Sequence, residues 1–166
     1  MIIRLLFIAI IILFSALPLS ASGEEFKKDI IKLSDRLTDG TPIKIEIRKS
    51  NISSQSLYSH AFMWGGDEIT MPKKVITGLD VLSGTEKIYV PLSAYSDLGD
   101  PRQVSLERKQ KGFQLIIQGC DSASSYKGVL VFSNENIESR KVTHGEFPDE
   151  VWEETRYSFI SKTDER

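Results

Sequence analysis

Gln103 to His144 reads QVSLERKQKGFQLIIQGCDSASSYKGVLVFSNENIESRKVTH, and this stretch decides the fold class. Gln103–Arg108 and Phe113–Gln118 flank Lys109-Gln110-Lys111-Gly112, and Tyr126–Phe132 and Ile137–His144 flank Ser133-Asn134-Glu135-Asn136. Each run is rich in strand-forming residues and bounded by turn residues, the pattern of consecutive antiparallel hairpins. Side chains alternate faces along a strand, so Phe113, Leu115 and Ile117 point one way and Gln114 and Gln118 the other. The spacing predicts a β meander at the core of a small domain.

Working toward the N-terminus, Lys87 to Tyr95 sets Ile88, Val90, Leu92 and Ala94 against Tyr89, Pro91, Ser93 and Tyr95, which predicts a strand. Pro91 cannot donate to a ladder, so that strand is at an edge or broken there. Ser83-Gly84-Thr85 is a turn, Val75–Leu79 a short strand and Leu57–Trp64 another. Pro42–Arg48 alternates Ile43, Ile45 and Ile47 with Lys44, Glu46 and Arg48, a half-buried strand. Residues 24–38 place Phe26, Ile30, Leu33 and Leu37 at helical spacing among charged residues. That predicts an amphipathic helix opened by Ser22 and Glu25 as a capping box and stopped at Asp39-Gly40. Toward the C-terminus, Trp152–Ile160 is a last strand with Tyr157 and Phe159 inward.

Residues 1–21 carry Arg4, an apolar run from Leu5 to Leu17 and the small residues Ser20 and Ala21, the three-part layout of a secretory signal peptide. The apolar run is shorter than the roughly 20 residues a spanning helix needs. A membrane association is therefore expected only through an uncleaved leader. The remaining 22–166 is expected to be one domain. About eight short strands without crossover helices predict a mainly β, antiparallel β-sandwich or small barrel with the helix 24–38 added.

The 166 residues are 40% hydrophobic and 27% charged, which excludes a disordered chain. A formal charge of −2 argues against an electrostatic nucleic-acid binder. The small basic clusters Lys73-Lys74 and Arg108-Lys109-Gln110-Lys111 read as solvated turns. One cysteine, Cys120, forbids an intramolecular disulfide, and a domain of this size needs none.

Catalytic signals are sparse. His60 and His144 are the two histidines, and nothing in their spacing to each other or to Cys120 resembles a metal-ligand pair. Cys120 ends an apolar strand, where an inert thiol is commoner than a nucleophile. No Gly-x-Ser-x-Gly elbow, Rossmann fingerprint or P-loop is present. Acidic loops offer oxygen ligands for calcium, with Asp97, Asp100 and Asp121 as candidates; Asp also favours turns for local hydrogen-bonding reasons. Arg140, Glu146, Trp152 and Tyr126, near Glu153, Glu154 and Tyr157, form a candidate ligand-binding group. The plainer reading of the same residues is aromatic core and structural ion pairs.

These features point to an exported protein, periplasmic or secreted, and to a non-enzymatic domain of the bacterial envelope that binds a protein, glycan or small ligand. An envelope hydrolase and a calcium-stabilised structural module are the alternatives. No cofactor other than calcium is implied.

Overall fold

The computed structural model describes residues 24–25, 28–52, 72–120 and 124–159. The expected leader 1–21, the strand expected over 57–64, and His60, Trp64 and Asp121 lie outside the described residues.

The chain is mainly β, with two antiparallel sheets. One holds β2 (Ile30–Arg36), β3 (Pro42–Asn51), β4 (Lys74–Ser83) and β5 (Glu86–Ile88) in chain order. The other begins with β1 (Glu24–Glu25), continues with β6 (Pro101–Arg108), β7 (Phe113–Gly119), β8 (Tyr126–Phe132) and β9 (Ile137–His144), and ends with β10 (Val151–Arg156). The meander β6 to β9 is thus where its sequence pattern puts it. Gly112, with φ 87°, closes the β6–β7 turn, and a Cβ there would collide with the Phe132 carbonyl oxygen. In the β8–β9 turn the Ser133 hydroxyl accepts the Asn136 amide at 3.0 Å.

The inward sides of both sheets supply one core. Ile43, Ile45 and Ile47 of β3 join Val81 of β4, Leu115 and Ile117 of β7, and Leu130 and Phe132 of β8, all essentially without solvent contact. Phe113 stacks on Phe132 with centroids 4.9 Å apart. Burying each such side chain contributes about 1.5–3 kcal/mol. Two facing sheets around one core fit a β-sandwich.

The helix expected over 24–38 is corrected across its described length. Ile30–Arg36 is a strand, paired with β3 from Ile30 opposite Arg48 to Arg36 opposite Pro42. Ile31 and Leu33 satisfy a two-residue period as well as a helical one, and β3 offers them a ready apolar partner row in Ile45 and Ile47. Tertiary pairing therefore overrides the helical spacing. Asp39-Gly40 makes a hairpin turn instead of a helix stop: Gly40 has φ 88°, and the Asp39 carboxylate accepts the Thr41 amide at 2.9 Å.

The strand expected over 87–95 is also corrected. It ends at Ile88, and Pro91 opens a 3-10 turn over Leu92–Ala94. Proline cannot extend the ladder, and the chain from residue 89 to 100 instead crosses between the sheets. It buries Ala94, Tyr95 and Leu98 on the way. A bridge between Val75 and Gly99 ties its far end back to β4. Phe159, expected inward, is 41% exposed beyond the end of β10.

The outward face of the four-stranded sheet is a ladder of ion pairs. Glu46 meets Lys32 at 3.1 Å and Arg48 at 2.8 Å, and Asp80 meets Arg48 at 2.6 Å and Lys87 at 2.5 Å. Gly78 leaves the space that the Arg48 guanidinium fills.

Candidate functional site

Arg140 stands opposite Leu130 in the β8–β9 register, so it points inward with that leucine. It is 2% exposed. A buried guanidinium is tolerated only when paired and hydrogen-bonded. Arg140 donates to the Asp97 carboxylate through both terminal nitrogens, at 2.8 and 2.5 Å, and to the Ser93 carbonyl at 2.6 Å. Glu153 of β10 lies 3.3 Å away. Burial works against the charge, but the Asp97 hydrogen bonds and the Asp97 and Glu153 charges outweigh it and hold the guanidinium above its ordinary pKa. Ser93 and Asp97 both belong to the connection 89–100. Arg140 therefore pins that connection over the inner face of β9 and β10.

The same face carries more polar groups. The Thr155 hydroxyl donates to Glu153 at 2.8 Å. Tyr157 is half-buried; its hydroxyl lies beside the Ser93 hydroxyl without closing a hydrogen bond of good geometry. Burial raises the Tyr157 pKa, with Ser93 and Arg140 pulling the other way. The Arg140 Nε also has no hydrogen-bond partner among the described residues.

Tyr126 sits opposite both Gly119 and His144 and is 1% exposed. A Cβ on Gly119 would overlap the tyrosine ring, so this glycine makes room for it. The Tyr126 hydroxyl is buried without a hydrogen bond among the described residues. Burial above all, then the Cys120, Asp97 and Asp100 charges, pushes its pKa well above the usual tyrosine value. Asp100 and Cys120 both adopt left-handed backbone, φ 40° and 54°, and the Cys120 amide donates to the Asp100 carbonyl at 3.1 Å. The Asp100 carboxylate accepts the Lys73 amide at 3.0 Å and the Lys74 amide at 2.9 Å.

Of the calcium candidates, then, Asp97 is engaged by Arg140 and Asp100 by two backbone amides. Among the described residues, no group of three or more His, Cys, Asp or Glu is placed to share a metal ion.

Glu146 and Trp152 belong to a different place, the β9–β10 turn and the start of β10. His144 is buried, and its Nδ1 accepts the amides of Glu146 at 3.0 Å and Phe147 at 3.1 Å. Its ring packs against Phe147 at 4.8 Å and edge-on to Trp152 at 5.4 Å. Trp152 falls in a bulge between Val151 and Glu153 and is half-buried. Glu146 itself is exposed. The four ligand-binding candidates therefore divide: Arg140 and Tyr126 are interior, Glu146 is in an exposed turn, and Trp152 is half-buried at the start of β10.

Sequence reasoning missed the exposed apolar side chains. Tyr89 is 69% exposed and Leu92 65%, and Tyr89 meets Phe159 edge-on at 6.4 Å. In the alternating pattern Leu92 shares a face with Ile88, Val90 and Ala94 while Tyr89 lies on the other, and only the break at Pro91 hints that the run does not continue. A hollow of about 490 Å³ also lies between the turns at Thr38-Asp39, Gln110-Lys111 and Asn134-Glu135. Compared with known proteins, the chain matches no family model, no curated protein and no solved structure.

Proposed function

We propose that this chain is an exported, non-enzymatic β-sandwich domain that binds a protein partner in the bacterial envelope. The observation that carries the reading is the group of exposed apolar side chains along the β10 edge. Tyr89 and Phe159 meet beyond its end, with exposed Leu92 three residues after Tyr89, and Phe147 and Val151, 55% and 46% exposed, stand at its start. Val151 to Phe159 spans about 25 Å of extended chain. A row of exposed aromatic and aliphatic groups beside a sheet edge that pairs with no further strand among the described residues suits a partner surface. Arg140 and Asp97 support this face from beneath by fixing the connection that presents Tyr89 and Leu92.

The test compares proteins captured from envelope extract by the wild-type domain and by Tyr89→Ser/Phe159→Ser. Both substituted residues are exposed, so the variant keeps its fold. A partner retained by the wild type and lost by the variant is the expected result. Identical capture by both would refute the reading, as would a substrate turned over by the purified domain.

A further inference from the structure

We infer that His144 is a proton-sensitive latch: a proton gained at its Nδ1 frees Glu146 and Phe147 at the front of the β9–β10 turn. The latch stands on the geometry of the ring and does not depend on the binding reading above.

The device is local in the sequence. His144 ends β9, and its ring turns onto the chain that follows. Nδ1 accepts the amides two and three residues on, those of Glu146 at 3.0 Å and Phe147 at 3.1 Å. Asp and Asn close turns in the same way with a side-chain oxygen. Among the described residues no backbone carbonyl accepts either amide. A neutral imidazole carries one N–H, and a nitrogen that accepts two amides is not the one that carries it. The hydrogen-bond pattern therefore assigns the ring hydrogen to Nε2. Phe147 and Trp152 pack on the buried ring, so it is not free to turn aside while the turn keeps its place.

An imidazole differs from an oxygen cap in one respect. It takes up a proton over roughly pH 5–8 when exposed. The proton enters at Nδ1 and converts the acceptor of two N–H groups into a third N–H facing them. Both bonds are lost in one step. The His144 amide still donates to the Glu150 carbonyl at 3.0 Å, and the Gly145 amide to the Ser125 carbonyl at 2.7 Å. Release is therefore confined to the front of the turn, and the pairing of β9 is kept.

The charges near the ring do not reverse this. On the turn stand the exposed carboxylates Glu146, Asp149 and Glu150, and on β10 Glu153 follows Trp152. They favour the cation, but a protonated Nδ1 accepts nothing however it came by its proton. On β8, Tyr126 lies opposite His144. Its hydroxyl stays neutral until well above pH 10, and the Cys120, Asp97 and Asp100 charges act on it from beyond. Arg140, on the same face of β9, is engaged by Asp97 and Glu153. Lys127 and Lys141 alternate to the opposite face.

The experiment is nuclear magnetic resonance of the isotope-labelled domain from about pH 8 to about pH 5, reading the ring nitrogens and the backbone amides together. At the alkaline end the ring hydrogen is expected on Nε2. As the ring protonates, the Glu146 and Phe147 amide signals should move with the same midpoint. Their protection from hydrogen exchange, corrected for the intrinsic rate, should fall at least about tenfold. The Asn136 amide, held by the Ser133 hydroxyl in the turn at the other end of β9, should keep its protection. His144→Asn sets a non-titrating oxygen near the place of Nδ1 and should hold both amides across the range. His60→Gln should leave the wild-type response unchanged.

A ring hydrogen on Nδ1 at the alkaline end would overturn the inference. So would a ring that protonates while the two amides stand still, or one that takes up no proton in this range. A response that persists in His144→Asn, or vanishes in His60→Gln, would do the same. If His144→Asn does not fold, the wild-type titration and the His60→Gln control decide. Capture from envelope extract enters none of these outcomes, so the latch and the binding reading fail separately.

Discussion

Replacing Arg140 by leucine tests whether the guanidinium fastens the connection 89–100. The substitution removes three hydrogen bonds, two to Asp97 and one to the Ser93 carbonyl. Breaking a fully buried ion pair costs about 3–5 kcal/mol. Here the partners are less enclosed: the side chains of Asp97 and Glu153 are 37% and 42% exposed. Stranded carboxylates at that exposure recover much of their hydration, which lowers the expected loss to about 2–3 kcal/mol.

The double variant Arg140→Leu/Asp97→Asn removes the second charge too, and an apolar group in place of a buried pair is often near neutral. It should therefore be more stable than the sum of its single variants by about 1–2 kcal/mol. Urea unfolding of the four proteins measures this coupling. Hydrogen exchange adds location, since the amides of Ala94, Tyr95 and Leu98, which donate within the connection, should open faster in Arg140→Leu than those of β7. Strict additivity, or an Arg140→Leu protein as stable as wild type, would refute the role of Arg140 as a fastener.

Two further outcomes follow from the titrating groups. The Asp80 carboxylate is held below its ordinary value of 3.8 by Lys87 and Arg48, and Glu46 below 4.5 by Lys32 and Arg48. Groups with depressed folded values stabilise above their unfolded pKa and lose that contribution as pH falls through the folded value. Melting temperature should therefore drop below about pH 4, with a shallower drop in Arg48→Met, as thermal scans across the acid range would show. Tyr126 has the opposite sign: its raised pKa gives stability that is present below the unfolded value of 10 and lost at higher pH. Tyr126→Phe should remove that alkaline loss and, by deleting a buried hydroxyl without a partner, hold or raise neutral-pH stability by up to about 1 kcal/mol. A loss of more than that in the urea midpoint would show that the hydroxyl makes a bond the structure lacks.

Much of the architecture was legible because alternation and turn chemistry agree. Ile43, Ile45 and Ile47 point inward as the two-residue period requires, and Gly112 stands where a positive φ is needed. Ile30–Arg36 was misread because a short run with isoleucine and leucine two apart satisfies both periods. The partner that decides, β3, becomes visible only once the hairpin closes. The route of residues 89–100 was legible only as a break at Pro91, since nothing local says where a broken strand goes next. Arg140 and Glu153 fall in one group in the sequence and lie 3.3 Å apart. The hydrogen-bond partners Ser93 and Asp97 were not paired with Arg140 in advance, because they are more than forty positions away in the chain. The exposure of Phe147 and Tyr89 was not legible, because a turn and an alternating run do not say how far an aromatic side chain is covered by neighbours distant in the chain.

Each sheet is wound in chain order, and this bears on how the protein assembles. Among the described residues, apart from the pairing of the short β1, each strand's ladder neighbours are strands next to it in the chain. Assembly can therefore proceed hairpin by hairpin as the polypeptide lengthens, with little loop entropy spent at each step. The pairing of β1 with β6 is the exception, because Glu24 and Glu25 must wait for Gln103 and Val104 to be made. The first described strand therefore pairs only after the hairpins of the other sheet have had time to close, and its partner is the strand that opens the second sheet.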